Sequence, residues 1–64
     1  MKFEMIKQDD VFTFKPLDDA ALTWMRKSTY ANGGSAFTTK KLYLRDSVLK
    51  AIEEAGGSVQ VTTT

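Results

Sequence analysis

The chain has 64 residues, 42% of them apolar and 27% charged, with a net charge of +1; these are the values of a folding globular chain, not a disordered one. It contains no cysteine and no histidine, which excludes disulfides and thiolate metal sites and removes the commonest metal ligand and general base. At this length we expect a single domain, 1–64, with a thin stability margin, because so short a chain buries only about 60% of its unfolded surface.

Residues 1–7, Met-Lys-Phe-Glu-Met-Ile-Lys, break off before an apolar signal region can form. No run of about 18 apolar residues is present, so no membrane span and a cytoplasmic location are expected. Phe3 and Met5 alternate with Lys2, Glu4 and Ile6. Gln8-Asp9-Asp10 then signals a turn, and Phe12 and Phe14 alternate within Val11–Lys15. Two period-two runs around a polar turn predict a β-hairpin, ended by Pro16, which cannot donate to a ladder.

Asp18 or Asp19 can cap the helix that follows. Leu17, Ala21, Trp24 and Met25 fall on one helical face, widened by Leu22, and acids at the start with Arg26-Lys27 at the end suit the helix dipole. A helix is predicted over 18–28. Ser28 to Ser35 reads as irregular, with Asn32-Gly33-Gly34 as a loop tip or as the turn of a hairpin joining Thr29-Tyr30 to Ala36-Phe37. Ala36 to Leu44 is rich in Thr, Tyr and Phe and predicts a third strand. Asp46 is the expected cap of a second helix carrying Val48, Leu49, Ile52 and Ala55 on its apolar face. Gly56-Gly57 stops that helix, and Val59 and Val61 alternate in a last strand.

The order β-β-α-β-α-β predicts an α+β fold in two layers: about four mainly antiparallel strands with both helices on one face. The last strand is expected either beside the third, through a right-handed crossover, or at an edge. Trp24, Met25, Phe12 and Phe14 belong to the expected core.

Charge is segregated. From Ala20 to Arg45 there is no acid, while Arg26, Lys27, Lys40, Lys41 and Arg45 are all basic. On the predicted third strand Phe37, Thr39, Lys41, Tyr43 and Arg45 would share one sheet face. If that face is open, it mixes rings with cations as single-strand nucleic-acid binders do. The net charge of +1 speaks against a dedicated binder of that kind. The plainer reading assigns Arg26 and Lys27 to a helix end and the lysines to a soluble edge strand. Glu53 and Glu54 oppose the dipole of the second helix and either sit in solvent or face a basic partner. Asp9-Asp10 and Asp18-Asp19 are better explained as turn and cap than as acid/base pairs or a metal site.

No catalytic, metal or cofactor site is expected. The first expectation is a non-enzymatic protein-binding module, such as a regulator, inhibitor or accessory subunit of the kind common in phage and plasmid genomes. Its partner-binding candidates are Phe37, Lys41, Tyr43, Arg45, Arg26 and Lys27, and its partner is another protein or a second copy. The second is a weak single-stranded nucleic-acid binder using the aromatic-basic strand face.

Overall fold

Phe3 and Met5 on one strand and Phe12 and Phe14 on the next are all buried, while the residues between them are not. That alternation builds the centre of the fold. In the computed structural model, which describes residues 1–28, 30 and 34–63, β1 (Lys2–Gln8) pairs antiparallel with β2 (Val11–Pro16). The register sets Met5 opposite Phe14 and closes over Asp9-Asp10, where Asp9 takes a left-handed φ of 56°.

Helix α1 (Asp19–Lys27) starts on Asp18, whose Oδ1 accepts the Ala21 N–H at 2.8 Å. Its Ala21 and Met25 are fully buried, and Trp24 meets Phe3 edge-on at 5.5 Å. Leu17, expected on that helical face, lies before the cap and is half exposed; its N–H bonds the Lys2 carbonyl instead. Thr29, Asn32 and Gly33, on which the expected loop tip or hairpin rests, lie outside the described residues.

Strand β3 is only Phe37–Thr39, and α2 runs Leu42–Glu54. The expected strand over 36–44 is therefore cut short, and the helix begins before the expected cap, Asp46. The break is made by Thr39, whose Oγ1 accepts the Lys41 N–H two residues on at 3.0 Å, a hydroxyl-stabilised turn. Lys41 takes the N-cap position without a side-chain bond. Val48 and Ile52 then reach the core, with Leu49 packed beside them, whereas Ala55 is exposed at the C-cap. Gly56, at φ 82°, turns the chain out of α2, as a left-handed glycine does at a helix end.

Strand β4 (Ser58–Thr63) lies at the edge and pairs in parallel with β1, giving the order β3-β2-β1-β4. The fold is thus α+β, one mixed sheet of four strands, with two of its three pairings antiparallel. The buried residues of both helices join one cluster with Phe3, Met5, Phe12 and Phe14, so both helices cover the same face.

Candidate partner-binding site

The residues singled out from sequence do not form one surface. Phe37 pairs with Phe14 and turns toward the helices, half-buried, with ring centroids 6.2 Å from Phe14 and 5.6 Å from Tyr30. The row predicted to continue through Lys41, Tyr43 and Arg45 ends at Thr39, because Lys41 is the N-cap of α2 and Tyr43 and Arg45 lie in its first turn. Lys41 Nζ lies 5.8 Å from the Tyr43 ring, and Tyr43 is exposed. Arg45 lays its guanidinium 4.9 Å over Phe12 and binds Asp46 Oδ1 through Nε (2.9 Å) and Nη2 (2.8 Å). Arg26 and Lys27 are exposed in the last turn of α1. Lys27 lines a separate hollow with Trp24, Ser28 and Tyr30.

The face of the sheet away from the helices has a different chemistry from the one expected. By register it carries Lys2, Glu4, Ile6, Gln8, Val11, Thr13, Lys15, Thr38, Ser58, Gln60 and Thr62. None of these is aromatic. Thr13 and Thr38 hydroxyls lie 3.2 Å apart across β2 and β3, and Thr62 donates to Glu4 Oε2 at 2.9 Å across β4 and β1. A face without rings gives bases nothing to stack on, so the aromatic-basic sheet face is not formed.

The edge made by β4 stands out instead. Its residues, Ser-Val-Gln-Val-Thr-Thr, include neither a charge nor a proline, the usual protections of an exposed edge. Its outer backbone groups have no strand beside them among the described residues. Val59 packs against the core, but Val61, in register with buried Met5, remains 61% exposed. An unpaired ladder and an uncovered apolar side chain therefore coincide on one strand. Alternation pointed to β4 and left an edge as one of its two expected places; the sheet order puts it there, beside β1 and not beside β3.

At the start of β1, Asp18 fastens the chain's first strand to its first helix. Its Oδ2 accepts the Lys2 N–H at 3.1 Å and lies 3.6 Å from the Met1 amine. The Ala21 N–H above all holds the Asp18 carboxyl below its ordinary value; desolvation opposes it, and the Met1 amine and the Lys2 N–H add to the lowering. Among the described residues no three acidic side chains gather as metal ligands would require.

No protein-family model, curated protein or solved structure matches this chain. Among the described residues, no helix is long and apolar enough to cross a membrane.

Proposed function

We propose that this chain is a small non-enzymatic protein-binding module that takes up an extended partner segment along β4. The observation that carries this reading is the coincidence on one edge of an uncharged six-residue strand and the exposed Val61. An added strand satisfies the outer N–H and C=O groups of β4, and alternate side chains of the segment cover Val61, which is how strand addition divides affinity from specificity. Backbone pairing supplies most of the attraction, so the preferred segments are uncharged, free of proline, and apolar at every second position.

Selection from a displayed library of random linear peptides, followed by amide NMR titration of the full chain, tests this reading. Selected peptides should alternate as described and should shift the amides of β4 and then of β1. Thr63→Pro, which takes one outward-facing donor out of β4 because the Ser58 N–H, and with it Gln60 and Thr62, faces β1, and Val61→Lys should each abolish binding while the hairpin amides keep their positions. Peptides that instead shift Thr13 and Thr38 on the opposite face, or a library that yields no binder, would overturn the proposal.

A further inference from the structure

Where β1 ends and α2 begins, Lys7, Asp10, Phe12, Lys40, Leu42 and Arg45 line an open cleft of 480 Å³, a volume typical of small-molecule sites. The sheet register brings them together. Lys7 lies opposite Phe12, and Phe12 opposite Thr39, so that Lys40 emerges beside them at the end of β3. Asp10 comes from the hairpin turn, and Leu42 and Arg45 from the start of α2. Three cations thus converge around one acid.

The cleft also has a built floor. Phe12 is buried, and Arg45 is held above it, its guanidinium carbon 4.9 Å from the ring centroid, and is tied to Asp46. Asp46 occupies only part of the donor fork of that guanidinium. Leu42 is a large apolar side chain left 58% exposed. No residue of β4 lines the cleft, so this site is independent of the docking edge.

We propose that the cleft binds a small organic phosphomonoester. Its phosphate sits among Lys7, Lys40 and Arg45, and its carbon body lies against Leu42. A monoester is close to a dianion at neutral pH and offers three acceptor oxygens. That matches two point charges and a planar fork better than a single carboxylate does. Asp10, at the rim, disfavours a ligand carrying further anionic groups and leaves an acceptor for a ligand hydroxyl.

The test is amide NMR titration of the full chain with four probes: phenyl phosphate, inorganic phosphate, benzoate and a single-stranded oligonucleotide. Phenyl phosphate should give saturable shifts at Lys7, Phe12, Lys40 and Arg45 and bind more tightly than the other three. Lys40→Gln, at an exposed position, should weaken it about tenfold, the loss of one charge-assisted contact. Lys15→Gln, on the opposite face, should leave it unchanged. Arg45→Met should also weaken binding, with intact hairpin amides showing that the fold is kept. Four results would overturn the proposal: no saturable shift at millimolar phenyl phosphate, equal sensitivity to Lys15→Gln, benzoate or inorganic phosphate binding as tightly, or tighter binding of the oligonucleotide that depends on Lys40, which would make the cleft a strand-binding site.

Discussion

At one edge of the sheet β3 runs for three residues, hides Thr39, and lays Phe37 against Phe14 and Tyr30. At the other, β4 runs for six, carries no charge and leaves Val61 in solvent. Both edges belong to one small sheet, yet only the first is shortened and covered, with Lys40 and Lys41 following directly after it. Such devices keep a strand from pairing with other chains. Their presence on one side and absence on the other is what supports the proposal that β4 takes up a partner segment.

The contrast can be broken by substitutions at equivalent depth. Phe37→Ala should cost about 2–3 kcal/mol in urea unfolding, somewhat less than a fully buried phenylalanine, because it removes contacts to both neighbouring rings. If Phe37→Ala proves neutral, the β3 edge is not held by packing and the distinction fails. Gly57→Ala tests how strictly the entry to β4 is fixed. A Cβ there would stand 2.8 Å from both Ile52 Cγ2 and Met1 Cε, and 3.2 Å from the Met1 carbonyl. The expected loss is about 1–2 kcal/mol, and an unchanged unfolding midpoint would mean that this end of the strand shifts freely.

Asp18, exposed at the start of α1, offers a pH-dependent check. Its carboxyl is lowered from 3.8 in the fold, so its contribution is complete above the unfolded value and is lost as the pH falls through the native one. Stability should therefore decline on acidification below about pH 4, and Asp18→Asn, which keeps a capping oxygen but no charge, should flatten that decline. An unchanged acid limb in thermal unfolding would refute the assignment. The smallest effect belongs to Val61→Lys, within about 0.5 kcal/mol of the parent in the same urea assay; a larger loss would show that Val61 already serves the fold.

Much of this architecture was legible in the sequence. Alternation about Asp9-Asp10 gave the hairpin, Asp18 the start of α1, and Gly56 the end of α2, because each is a local preference that the fold leaves in place. The boundary between β3 and α2 was not legible. Thr, Tyr and Phe favour a strand, and Lys41 at the N-cap gives no start signal, while Asp46 imitates one but binds Arg45. Leu44, Val48 and Ile52 fit a helical stripe just as well as Leu42 and Leu44 fit a strand, and packing on the sheet decided between them. Thr39 was the overlooked sign, since a threonine hydroxyl can close a turn two residues on. The misplaced boundary also misplaced the candidate site. It put Tyr43 and Arg45 on a sheet face that carries no aromatic side chain, and it left Lys7, Lys40 and Val61 out of the candidate site.

The parallel pairing of β1 with β4 has a consequence in time as well as in space. Met5 gains one neighbour, Phe14, almost at once, but must wait for Val61 to gain the other. Until the last strand has been synthesised, β1 itself is the bare edge, and its buried face is incomplete. Long-range pairings of this kind form late and slowly. The newborn chain therefore presents, one strand further in, the same kind of open ladder that the finished protein keeps on β4.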